Sequence, residues 1–332
     1  MEQVHISRLV LLISFSAFLL VAPQHLDNQT IQGIGQTIPA ADFQCRYSYD
    51  TDLLPELDIY LDTIQVMSAA AMSDYNQAFP PEAAVFNNVQ LAYNGVTRAS
   101  SVFQATLLSG LYRQLEEFAK ARRFLALRST CFRGSETLEN FSYSVFQTSV
   151  GRNQSQGVSD ALPNATKSLA INTSGSSNPA CFSIGENSKR PVCFKYQLFS
   201  SPVSHGDYFK SIAGLLLDVA PEDNTEPVNR VATNDLNGIT TEIRRNEARG
   251  YLPATLIWED TIKMLYWAAG ATVHNPSFTG DGFQEILVAA FYQVGSQALW
   301  IGDLQMRRFG EAVVLGDNIS AATSFAAPAS VA

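Results

Sequence analysis

The sequence predicts a predominantly α-helical α+β fold, a helical bundle that carries one small disulfide-bonded β-hairpin. The first sign is the stretch Thr97–Arg128, where Phe103, Leu107, Leu111, Leu115, Phe118 and Leu125 recur at helical steps and form one apolar stripe. The second is the return of helical spacing in six further segments. The third is a single stretch of strict alternation around two cysteines, Cys181 and Cys193.

In the long segment, Thr97 is the expected N-cap, and Arg122, Arg123 and Arg128 gather at the end where positive charge suits the helix dipole. Before it, Pro55 opens a helix through Leu57, Leu61, Ile64 and Met67. Val85, Val89 and Tyr93 predict a short one stopped by Gly95. Short connections make these neighbours antiparallel, so residues 55–131 read as a bundle. Residues 134–179 turn to Ser, Asn, Thr and Gly and read as a long glycosylated loop, with some strand at Phe141–Phe146.

The hairpin follows. Cys181-Phe182-Ser183-Ile184 and Val192–Leu198 alternate around the turn residues Gly185-Glu186-Asn187-Ser188. Parity puts both cysteines on the polar faces of their strands. A Cys181–Cys193 bridge is therefore preferred, which leaves Cys45 for Cys131, although four cysteines permit three pairings.

Further helices are expected from Asp207 to Val219, from Thr233 through Ile243 to Gly250, from Ile257 to Gly270, and from Phe283 to Ile301. Ala312–Leu315 reads as a short strand, and hairpin and helices together occupy 180–316. No internal repeat is evident.

The N-terminus bears on compartment. Arg8 precedes an uncharged run from Leu9 to Ala22, a secretory signal by length, since fourteen helical residues span only about 21 Å against roughly 30 Å of hydrocarbon. Residues 1–22 are thus expected to be removed and 23–332 to form a single secreted domain without a membrane span. A retained signal anchor is the alternative. An even cysteine count fits an oxidising compartment. Six Asn-x-Ser/Thr sequons stand at Asn28, Asn140, Asn153, Asn164, Asn172 and Asn318, as expected of a secreted eukaryotic glycoprotein. A net charge of −9 argues against nucleic acid as a partner.

Chemistry is harder to place. His205-Gly206-Asp207 brings an imidazole near a carboxylate, and Glu259 sits close to a concentration of aromatics, with Asp281 or Glu285 as a second acid. Those five residues are the catalytic candidates, for a secreted hydrolase acting on carbohydrate through paired carboxylates. Against it stands a non-catalytic protein that binds an extracellular macromolecule or a small apolar ligand between helices. No His-Glu-x-x-His, Cys-x-x-Cys, Gly-x-Ser-x-Gly or phosphate loop occurs, so no cofactor and no metal are expected.

Overall fold

Hairpins decide the architecture. Phe86 pairs with Val89 across Asn87-Asn88 and Arg133 with Glu136 across Gly134-Ser135, while Leu236 pairs with Ile239 and Val294 with Gln297. Such turns close antiparallel hairpins. Gly134 and Gly238 take φ of 59° and 81°, which a side chain would resist. The protein is seen here as a computed structural model that describes residues 41–146, 180–182, 192–228, 232–236, 238–246, 255–273, 283–294 and 297–308.

In chain order, β1 (Phe43–Leu53) leads into helix α1 (Glu56–Ala71). After β2 (Ala78–Phe79) comes the hairpin β3 (Glu82–Phe86) and β4 (Val89–Gly95). Then β5 (Val102–Phe103) enters helix α2 (Gln104–Ala121), and the hairpin β6 (Leu125–Arg133) and β7 (Glu136–Val145) follows. Next are β8 (Ala180–Phe182), β9 (Val192–Val203) and helix α3 (His205–Val219). The hairpin β10 (Ala232–Leu236) and β11 (Ile239–Arg245), helix α4 (Trp258–Val273), and the hairpin β12 (Phe283–Val294) and β13 (Gln297–Arg308) complete the chain. Three antiparallel sheets result, ordered β1-β6-β7-β4-β3, β10-β11-β13-β12-β9-β8 and β2-β5.

These sheets overturn the helical bundle. Among the described residues there are four helices, and strands outweigh them. The long helix stops at Ala121, where Arg122 takes a left-handed φ of 49°, and Leu125–Arg128 starts a strand instead. The helices expected at Val85–Tyr93, Thr233–Ile243 and Phe283–Ile301 are hairpins. Residues 136–145, expected within a loop with some strand at Phe141–Phe146, form a strand along their whole length at the interior of the first sheet.

A repeat also emerges that the residue pattern hid. Strand, helix, hairpin, helix, hairpin occurs twice, as β1-α1-β3/β4-α2-β6/β7 and as β9-α3-β10/β11-α4-β12/β13. Sheet order repeats with it: β1-β6-β7-β4-β3 matches β9-β12-β13-β11-β10, and β8 is the addition, outside β9. Each pair of helices lies on its own sheet. The two helix layers then face each other, α1 on α3 and α4, and α2 on α3.

Equivalent residues meet across that interface. Glu56 and His205 each open the first helix of a unit, stand 149 positions apart, and touch at 3.2 Å. Tyr60 and Phe209, separated by the same interval, stack with centroids 4.9 Å apart. A residue contacts its own counterpart only beside a two-fold axis, so the units are related by a pseudo-two-fold between α1 and α3. Aromatic rings continue from there into both units: Tyr60 meets Phe124, which stacks on Phe118, and Phe209 meets Phe283, which stacks on Tyr208. Both helix layers and the inner sheet faces thus share one apolar core.

Cys45 and Cys131 lie directly opposite each other on β1 and β6 and are disulfide-bonded. In the second unit the register sets Cys181 opposite Cys193, and Cys193 is also disulfide-bonded. Cys193 shares its strand face with Lys195 and Gln197, as expected, but is itself buried beside Phe291 on β12.

Candidate recognition surface

The four described acid and imidazole candidates are each held by a different partner. His205 Nδ1 meets Glu56 Oε1 at the pseudo-axis, and its ring packs edge-on against Phe283. Asp207 stands in the first turn of α3, where it accepts from the Ser204 hydroxyl at 2.5 Å and pairs with Lys210 at 3.1 Å. Its backbone N–H donates back to Ser204, so Ser204 is the cap expected of Asp207. Glu259 is tied to the buried Lys263 one turn along α4. Glu285 is buried on β12 and accepts the Arg308 backbone N–H at 2.7 Å. Asp281, like residues 1–22, Asn28, Asn153, Asn164, Asn172, Asn318 and Ala312–Leu315, lies outside the described residues.

Carboxyls that sequence reasoning missed lie in the interior. Asp62 on α1 has no exposed surface, and burial, helped by the Asp58 charge, pushes its pKa up to about 8. The Leu91 backbone N–H opposes that rise, but from outside full hydrogen-bond geometry. Glu139 on β7 is wholly buried beneath α2 at Gly110, and burial raises it well above the carboxylate range. Asp303 on β13 rises to about 6, again through burial, with Gln305 and Arg244 pulling it down. Asp62 and Glu139 each keep both oxygens without a hydrogen bond. Burial holds Asp62 and Glu139 toward their neutral forms, and their weight falls on stability. Among the described residues no group of three His, Cys, Asp or Glu is placed to hold a metal.

The outer faces of the two large sheets are where the units part. On the second sheet, Leu287, Ala289 and Asp303 are 6%, 6% and 4% exposed, and Glu242 holds Arg244 and Arg307 in ion pairs at 2.6 and 3.3 Å. At these positions that face is covered or occupied by ion pairs. On the first sheet the same face is uncovered among the described residues, because the helices lie only on the side that carries Tyr47, Leu127, Phe141, Tyr143 and Leu91.

Register reads out its rows. Arg46 on β1 lies opposite Thr130 on β6, Thr130 opposite Asn140 on β7, and Asn140 opposite Asn94 on β4. The neighbouring row runs Ser48, Arg128, Ser142, Ala92 and Ala83. Gln44, Arg46, Ser48 and Arg128 are exposed, and the rest are half-buried. Thr130 donates to Asn140 Oδ1 at 2.8 Å, and Asn140 Nδ2 donates to the Gly95 carbonyl at 2.9 Å, so this row is fixed in place. Arg46 lies 4.8 Å over the Phe132 ring. Arg128, between two serines, has neither an ion pair nor a side-chain hydrogen bond among the described residues.

Asn140, the sequon that lies among the described residues, has its carboxamide built into the sheet. Among the described residues no helix is long and apolar enough to cross a membrane. Fold and surface together define a two-unit α+β sandwich of antiparallel sheets with the helices between them, whose first sheet has an outer face uncovered among the described residues. No family model matches the chain, and no curated protein does. Among solved structures it is similar to the tandem DUF26 ectodomain of the Arabidopsis thaliana cysteine-rich receptor-like protein PDLP8, at 10% identity over 80% of this chain and 97% of that one. The TM-score is 0.20, too low for that likeness to fix fold or function.

Proposed function

We propose that the chain is a secreted, non-catalytic binding protein that holds an anionic, hydroxyl-rich extracellular macromolecule on the outer face of its first sheet. The carrying observation is Arg128: an exposed guanidinium at the middle of a flat row of Ser, Thr and Asn side chains, with no carboxylate of its own. A guanidinium fork matches a carboxylate or sulfate, and the hydroxyl and amide rows suit sugar hydroxyls. The uncharged run after Arg8 and the Cys45–Cys131 bridge support secretion. The glycans expected at Asn153, Asn164 and Asn172 belong to the same reading, as does a Cys181–Cys193 bridge.

Affinity electrophoresis against a uronic-acid polysaccharide and a neutral one tests the proposal. Retardation is expected in the acidic gel only. Arg128→Glu should weaken it by about tenfold or more, as loss of one charge-assisted contact implies. Equal mobility of wild type and Arg128→Glu in both gels would reject the surface. A small apolar ligand between the helices gains no support, since the aromatic column fills that layer.

A further inference from the structure

We infer that β1 is a dimerisation edge, along which a second copy of this chain pairs antiparallel about Ser48. The inference starts from a difference between the two units. In the second, β9 is an inner strand because β8 lies on its far side; in the first, the equivalent strand β1 is an edge, paired among the described residues with β6 alone. It is eleven residues long, and an edge of that length offers a row of unpaired backbone groups to another strand.

Which groups face outward follows from the disulfide. Cys45 and Cys131 sit directly opposite with Cα atoms 4.0 Å apart, the closer of the two antiparallel spacings, so they form a non-hydrogen-bonded pair. Cys45, Tyr47 and Tyr49 therefore turn their N–H and C=O away from β6 and toward the free edge. An incoming antiparallel strand must bond to these odd-numbered positions.

Side-chain pattern then selects the partner. On the outer face β1 reads Gln44, Arg46, Ser48, Asp50, all exposed. Set antiparallel to itself about Ser48, the strand brings Arg46 opposite the second copy's Asp50 and Asp50 opposite its Arg46. Tyr47 and Tyr49 of the two copies then exchange the backbone bonds. The arrangement is isologous, as a two-fold interface requires, and it places the opposite charges on non-hydrogen-bonded pairs, where side chains lie closest. A strand of another sequence would have to supply the same alternation of sign. The register with β6 shifts between Tyr49 and Leu53, which limits the pairing to the stretch around Ser48 and makes association weak and concentration-dependent.

Two experiments on the full secreted chain test the inference, and neither involves Arg128. In sedimentation equilibrium the wild type is expected to dimerise reversibly. Arg46→Asp and Asp50→Arg should each raise the dissociation constant by about tenfold or more, because each sets like charges opposite one another twice. The double swap should restore dimerisation. Separately, Ser48→Cys should cross-link to its own copy under mild oxidation, since self-opposed positions of a non-hydrogen-bonded pair fall within disulfide reach. Gln44→Cys should not. A dimer indifferent to both single charge reversals, or a Ser48→Cys chain that links no faster than Gln44→Cys, would overturn the inference.

Discussion

Asp62 shows how much one side chain can weigh. Its carboxyl is fully buried on α1, and its pKa in the folded chain, about 8, stands far above the ordinary 3.8. Above pH 3.8 the unfolded chain gives up this proton while the folded chain keeps it. Stability from this group is thus full in acid, falls as pH rises toward 8, and is flat beyond. At about 1.4 kcal/mol per pKa unit the loss is on the order of several kcal/mol. Urea midpoints of the wild type should accordingly fall between mildly acidic and mildly alkaline pH, and Asp62→Asn should flatten that slope; a slope unchanged by the substitution would refute the assignment. Gly110 is a second such position. Alanine in a helix is ordinarily worth close to 1 kcal/mol over glycine, but here its Cβ would lie 2.2 Å from Glu139 Oε1 and 2.5 Å from the Phe141 ring. Overpacking wins, and Gly110→Ala should destabilise by about 1 to 3 kcal/mol in equilibrium unfolding. Asn140 gives a third expectation. With its amide committed to Gly95, and β7 an inner strand, peptide mass spectrometry should find it unglycosylated in the secreted protein, unlike a sequon on an accessible loop.

Elements were legible where their period was unambiguous. Helices α1 and α3 lie where proline or a polar cap precedes a 3.6-residue pattern, and the strands around Cys181 and Cys193 alternate openly. Hairpins were lost for two physical reasons. Val85, Val89 and Tyr93 are four residues apart, and four is a multiple of the strand period as well as near the helical one; only Leu91, buried between Val89 and Tyr93, breaks the tie. β12 is buried on both faces, with Val288 and Ala290 inward and Leu287 and Ala289 outward, so its run carries no alternation at all. Asn237-Gly238 was the turn signal that outranks both patterns. The open face was illegible because Ser48, Thr130, Asn140 and Asn94 come together only through register. Where Tyr60 stacks on Phe209, the two units are coupled, and a double-mutant cycle of Tyr60→Ala and Phe209→Ala should return a coupling of about 0.5 to 1.5 kcal/mol. Additive single effects would mean that the stack contributes nothing between the units.

For the whole molecule, the duplication decides what a unit can do alone. Helix α1 is buried nearly all round, its Ile59, Tyr60, Thr63, Ile64 and Met67 divided between its own sheet and the facing helices. A helix apolar on every side is a helix between two layers. Residues 41–146 contain the first sheet, the Cys45–Cys131 bridge and both helices, so the unit has the means to fold, but it would expose the side of α1 and α2 that α3 and α4 now cover. Two such units meet the same geometry that relates the units in the full chain. The fragment should therefore associate helix to helix, Tyr60 on Tyr60, and Tyr60→Asp should abolish that contact, leaving only the weak pairing along β1 and helices that bind a hydrophobic dye strongly. Light scattering with dye fluorescence distinguishes the outcomes. A fragment that is monomeric, silent to dye and cooperatively folded would mean that the helix layer does not depend on a second unit, and that the pseudo-two-fold is a record of duplication without a part in stability.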